Sequence, residues 1–361
     1  MRFNHRHYVP VVRWKRGEQI ALRQLREEEK HAMTPLIELA PTDLAGDDAE
    51  AAKFTSKAIM GIQRNWGSYR AFLELGRVGS RFDQGHESEI ASVIFGAARE
   101  ARLVLVPVVR VPGGSLPHEA LRRAVSISEG RACLRIKSAE LPRQALHASI
   151  NACLTVLDLT PSDVDLVLDI GLVGPSNVAM RNFSPGSLWE YDWRTLSIVG
   201  GSFPKDLTGY SVGQHEITRL EWVRWRLEAP ELFRRHGRIP TFGDYMTLHP
   251  EFCEPRPGMN PSASIRYTSE DSWVVMRGEG LQNENGLGNR QYYGNADLLC
   301  ERKEYCGSTF SFGDNYIWKV ASRNVESPGS PGTWLSATVN HHITFVTHQI
   351  PRILDSLHID S

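Results

Sequence analysis

Eight short apolar runs recur at intervals of roughly 30 residues, each followed by a stretch of helical character, and this alternation limits the available folds more than any other feature. The runs are residues 8–14, 34–40, 69–75, 102–111, 132–136, 164–170, 196–202 and 238–245. The fourth, RLVLVPVVRV, is apolar enough to be buried on both faces, as strands of a parallel sheet are. Helical character falls at residues 18–33, 47–66, 88–99, 117–128, 141–154 and 216–236. This pattern predicts an α/β fold, a (β/α)8 TIM-barrel-like domain. An open doubly wound sheet uses the same units, but no run is followed by the GxGxxG fingerprint that would favour it.

After the eighth run the alternation stops. Residues 246–339 hold a Pro- and Gly-rich stretch, a hairpin-like pair at 263–268 and 272–277, a Gly- and Asn-rich loop at 278–294 and short segments beyond it. A last helix is expected at 340–357, with Asn340 as its cap. The expected organisation is a barrel over residues 1–245, an insertion over 246–339 lying as a lid above the barrel mouth, and a terminal barrel helix over 340–361.

In such a barrel the carboxyl ends of the strands converge on one mouth. Those ends carry Arg13 and Lys15, Glu38, Glu74, Arg110, Arg135, Asp169, Ser202 and Asp244, while alternate neighbours such as Leu36 and Val167 are apolar. One reading is a hydrolytic site for a phosphorylated ligand or nucleic acid. Glu38, Glu74, Asp169 and Asp244 are its candidate catalytic carboxylates, and Glu74, Asp169 and Asp244 in particular could hold Mg²⁺ or Mn²⁺. Arg13, Lys15, Arg110, Arg135 and Ser202 would bind phosphate, and His341 would act as general acid or base. The alternative is a ring of salt bridges that orders the barrel. Adjacent helical residues such as His341 and His342 point about 100° apart, so they cannot share one metal, and no HExxH motif suggests zinc.

A second reading makes the insertion a recognition surface without catalysis. Arg266, Tyr267, Trp273, Arg277, Arg290, Tyr292 and Tyr293 mix cationic and aromatic groups suited to bases or to a partner protein. The plainer account of the aromatics is a satellite core beneath a long loop.

Lys and Arg (41) nearly balance Asp and Glu (42), which excludes a global basic field for nucleic acid but not a local one. Five cysteines, Cys133, Cys153, Cys253, Cys300 and Cys306, form no CxxC pair, which fits reduced thiols in the cytoplasm. The charged first residues do not read as a signal peptide and no run has the length of a membrane span, so a soluble cytoplasmic protein is expected.

Several phrases resemble those of the beta protein family, found in phages and bacteria. They are YVPVVRWKRGE at 8–18, TPLIE at 34–38, SIRYT at 264–268, FSFGD at 310–314 and NHHIT at 340–344. The resemblance implies a link to phages, mobile elements or antiphage defence, and with it a partner protein from the same locus. It brings no established reaction to transfer.

Overall fold

A computed structural model describes residues 2–39, 48–75, 87–111, 117–137, 145–175, 186–251 and 258–359. Cys253 lies outside the described residues. Seven of the apolar runs form β1 (Tyr8–Arg13), β2 (Leu36–Glu38), β3 (Ala71–Glu74), β4 (Leu105–Val111), β5 (Ala132–Lys137), β6 (Val164–Leu172) and β7 (Thr195–Gly201). The next strand, β8 (Gly213–Thr218), lies outside the barrel, and the eighth barrel strand is β9 (Thr241–Asp244). The order β1-β2-β3-β4-β5-β6-β7-β9 closes into a parallel barrel, with β1 paired to β9. The chain is therefore a (β/α)8 barrel, as the periodicity predicts.

Strand parity divides the core in two. Inside the barrel, Val9, Val11, Leu36, Phe72, Val106, Val108, Cys133, Val167, Val199 and Tyr245 pack as one cluster. The opposite faces, with Tyr8, Val12, Ile37, Leu73, Leu134, Leu168 and Phe242, join the larger layer shared with the helices. That layer includes Trp222 and Trp225 of the helix Leu220–His236, which stack on each other and pack against Phe242, so these tryptophans are core.

The residues after β9 build a second, smaller layer. β10 (Ser262–Thr268) and β11 (Ser272–Gly280) form the expected hairpin, but β8 pairs with β11 as a third strand, in the order β10-β11-β8. The terminal helix, Pro331–Ser356, starts at a Ser330 cap with Pro at its first position, well before Asn340. Asn340 is no cap. Its buried amide donates to the Ala21 carbonyl (3.1 Å) and accepts from the Gly313 N–H (3.0 Å), fastening the barrel's first helix (Arg16–Arg23) and the helix Phe312–Ala321 to the terminal one. No helix among the described residues is long and apolar enough to cross a membrane.

Candidate active site at the barrel mouth

The interior faces of β1 to β6 end in charge. Two residues beyond Val11, Leu36, Phe72, Val108, Cys133 and Val167 stand Arg13, Glu38, Glu74, Arg110, Arg135 and Asp169, so the pleat carries six ionisable side chains to one end of the barrel. Arg135 is at the centre, its side chain wholly buried. Its Nη1 donates to Glu38 Oε1 at 2.7 Å and to Glu74 Oε2. Its Nε and Nη2 donate to Asp169 Oδ2 at 3.0 and 2.7 Å, and Nη2 also reaches the Tyr245 hydroxyl at 2.8 Å. Burial by itself would weaken the guanidinium's hold on its proton, but Glu74, Tyr245, Asp169 and Glu38 outweigh it and raise its pKa well above the usual value.

The three carboxylates are not equivalent. Asp169 is saturated: Oδ2 also accepts the Tyr245 hydroxyl at 2.7 Å, and Oδ1 accepts the Gly171 N–H at 3.0 Å across an irregularity in β6. Burial, then Asp169, pushes the Tyr245 phenol far up, so it remains a donor. Glu38 and Glu74 are register partners on adjacent parallel strands and share one Arg135 nitrogen. Their bound oxygens therefore lie no more than about 5 Å apart, two hydrogen-bond lengths. Arg110 Nε is 3.8 Å from Glu74 Oε1. Arg13 donates to the His249 and Pro250 carbonyls at 2.5 and 2.8 Å, tying the chain after β9 to the mouth.

Other candidate residues lie elsewhere. Lys15 precedes the first barrel helix. Ser202 sits at the start of Leu220–His236, where its Oγ accepts the Leu220 N–H (2.9 Å) and donates to Glu221 (2.5 Å). Asp244 has the opposite strand parity and faces outward. There it accepts from the Tyr8 hydroxyl (2.5 Å) and from His342 Nε2 (3.0 Å), with Arg219 at 4.0 Å. Burial would raise its carboxyl, but His342, Arg219 and Tyr8 hold it below the usual range. The expected metal trio of Glu74, Asp169 and Asp244 is thus split between two faces of the barrel wall. Among the described residues, the group of three side chains spaced to hold a cation is Glu28, Glu29 and His348, away from the mouth.

His341 is also remote from the mouth. Its Nδ1 meets Asp314 Oδ2 and its Nε2 the Thr268 carbonyl, both at 2.8 Å, and its ring stacks on Tyr267 at 3.8 Å. Tyr267, Trp273 and Tyr292 are buried, and Arg266 is fixed by the Thr247 carbonyl (2.9 Å) over the Phe203 ring (4.6 Å). Burial pushes the Arg266 guanidinium down to about 10. Arg277 is half-buried on β11, beside Ser264 and Gly213 in the ladder. Arg290 is exposed, and Tyr293 lies under the Arg323 guanidinium at 4.8 Å. Tyr267, Tyr292 and Trp273 are packing residues of the satellite layer, and His341 and Arg266 are held by their own partners.

Sequence reading missed Tyr245. The signal was in TFGDY: Gly243 is the residue that lets β9 approach Val9, since a Cβ there would strike the Val9 carbonyl, and Tyr245 shares its face.

The Beta protein family model matches residues 8–348. The chain belongs to the Beta protein family. No curated protein matches this family member in sequence. Similar solved structures include a GH138 enzyme targeting pectin rhamnogalacturonan II, 6% identical, with a TM-score of 0.36 over 67% of this chain and 34% of that one. This Beta protein thus spans about a third of that enzyme's length. The spore cortex-lytic enzyme SleL of Bacillus megaterium QM B1551 is 8% identical, with a TM-score of 0.30 over 68% of this chain and 71% of that one. Likeness at this level carries no argument about chemistry.

Proposed function

We propose that the barrel mouth is a hydrolytic site in which Glu38 and Glu74 act as a carboxylate pair on a glycosidic bond. The carrying observation is the pairing itself: two glutamates in register at the carboxyl ends of neighbouring strands, their bound oxygens no more than about 5 Å apart, bridged by a buried arginine. Two carboxylates at that separation suit a retaining mechanism without a metal, in which one attacks the anomeric carbon and the other protonates the leaving oxygen. Glu74, touched by both Arg135 and Arg110, is assigned as nucleophile and Glu38 as proton donor. Arg135, with no exposed surface, is a positioning residue that fixes both glutamates and Asp169. A panel of nitrophenyl glycosides and nitrophenyl phosphate tests this reading. Release from a glycoside with net retention at the anomeric carbon, followed by proton NMR, supports it, and inversion or a wholly inert panel refutes it.

A second reading, a phosphorylated ligand or nucleic acid at the same mouth, is favoured by Arg110, whose partly exposed guanidinium lies beside Glu74. Turnover of nitrophenyl phosphate alone would select it. Family membership supports placing either activity in antiphage defence, alongside a partner protein from the same locus. Phage plating on cells carrying Glu74→Gln should then match plating on cells without the protein.

A further inference from the structure

The opposite end of the barrel, where strands begin, holds a cavity of about 660 Å³. It lies among residues 2–7, the chain entering β2 and β3, and the chain before β7 and β9. In a (β/α)8 barrel this end ordinarily serves stability, and the sequence gives no run of charge that points to it. The topology gathers six cations there from separate segments: Arg2, Arg6, Lys30, Arg70, Arg194 and Arg238. Three histidines join them, and no carboxylate is among the described lining residues.

The surrounding acids are spent outside the cavity wall. Arg2 pairs with Asp192 and Arg6 with Asp355, each at 2.6 Å, and Lys30 pairs with Glu27 at 3.4 Å. Behind the lining, the buried Asp165 serves both Arg70 and Arg194. Arg238 is different. It is half-buried and has no ion pair among the described residues, and its guanidinium is pushed below the usual value by burial and then by Arg2 nearby, with Asp192, already paired to Arg2, opposing the shift only in part. A partly desolvated cation beside a like charge is a cost to the fold, and an anion would relieve it. The size suits a small organic ligand, and Phe3 and Tyr69 in the wall offer ring faces beside the cations.

We propose that this basal cavity binds a small phosphate-bearing ligand of mononucleotide size, with Arg238 as the residue that engages the phosphate. The site is separate from the barrel mouth and stands whether or not the mouth is hydrolytic.

Calorimetric titration of the full chain with adenosine monophosphate, adenosine and inorganic phosphate tests it. Saturable binding of the monophosphate is expected, at least tenfold tighter than adenosine, weakened by salt and competed by inorganic phosphate. Arg238→Gln should weaken it tenfold or more while leaving the ligand-free unfolding midpoint no lower than that of the wild type. Arg2→Gln, at a largely exposed position, should weaken it less, and Glu38→Gln at the mouth should leave it intact. The proposal is overturned if neither phosphate compound binds, if adenosine binds as tightly as its monophosphate, or if Arg238→Gln binds like the wild type. The last outcome would leave the arginines as a structural seal.

Discussion

Replacing Arg135 with methionine removes the cation that Glu38, Glu74 and Asp169 share inside the barrel. The volume is roughly kept, so the effect is electrostatic. Breaking a buried ion pair from one side costs about 3–5 kcal/mol, because the partners stay desolvated without compensation. A chain of 361 residues has an unfolding entropy of about 0.76 kcal/mol per kelvin, so the midpoint should fall by about 4–7 °C at pH 7. The pH dependence is the sharper signature. Without the guanidinium, burial and mutual repulsion raise the folded pKa values of the three carboxyls above their unfolded values near 4. Groups shifted in that direction contribute their full stability below the unfolded pKa and lose it as pH rises. The deficit against wild type should therefore be smallest near pH 4 and grow toward pH 7. Urea unfolding followed by tryptophan fluorescence at several pH values measures it. A variant as stable as wild type at pH 7, or a deficit that does not change with pH, would refute the reasoning.

Three further outcomes follow from named contacts. Tyr245→Phe removes the hydroxyl that joins Arg135 to Asp169 and should cost about 1–3 kcal/mol in denaturant unfolding, with reduced turnover at the mouth. Glu18 is wholly buried, and burial, opposed by the Arg13 N–H, pushes its carboxyl up to about 8. Its contribution is complete below its unfolded value near 4.5 and is lost as pH rises to 8. Glu18→Gln should therefore gain on wild type across that window, at about 1.4 kcal/mol per unit at most, as read from melting curves. Gly313→Ala places a methyl against the Ala337 carbonyl where two helices cross, and should destabilise the satellite layer by about 1–3 kcal/mol in thermal unfolding.

The barrel was legible because its signal is repetitive: each of the eight barrel strands overlaps one of the apolar runs, and strands buried on both faces need such runs. The strand ends were legible only as far as parity was. Arg13, Glu38, Glu74, Arg110, Arg135 and Asp169 meet because each follows an interior apolar residue by two. Asp244 was placed on the wrong face because polarity, rather than parity with Gly243, was used to choose the end of a four-residue strand. Ser202 and His341 carry chemistry-bearing groups whose use depends on long-range partners, Leu220 and Glu221 in one case and Asp314 and Thr268 in the other. β8 escaped notice because GQHEIT is an edge strand with alternate residues exposed and few apolar side chains. The basal cations could not be read at all, since they are scattered from Arg2 to Arg238 and only barrel closure brings them together.

The most direct measurement is the turnover of a cleaved glycoside by Glu38→Gln and Glu74→Gln, each first shown to be folded by its unfolding curve. Loss of turnover by a hundredfold or more in both, with Glu74→Gln blocking formation of the covalent intermediate, is the result the account predicts. Wild-type turnover in either folded variant would contradict it and reduce the mouth to a structural cage around Arg135.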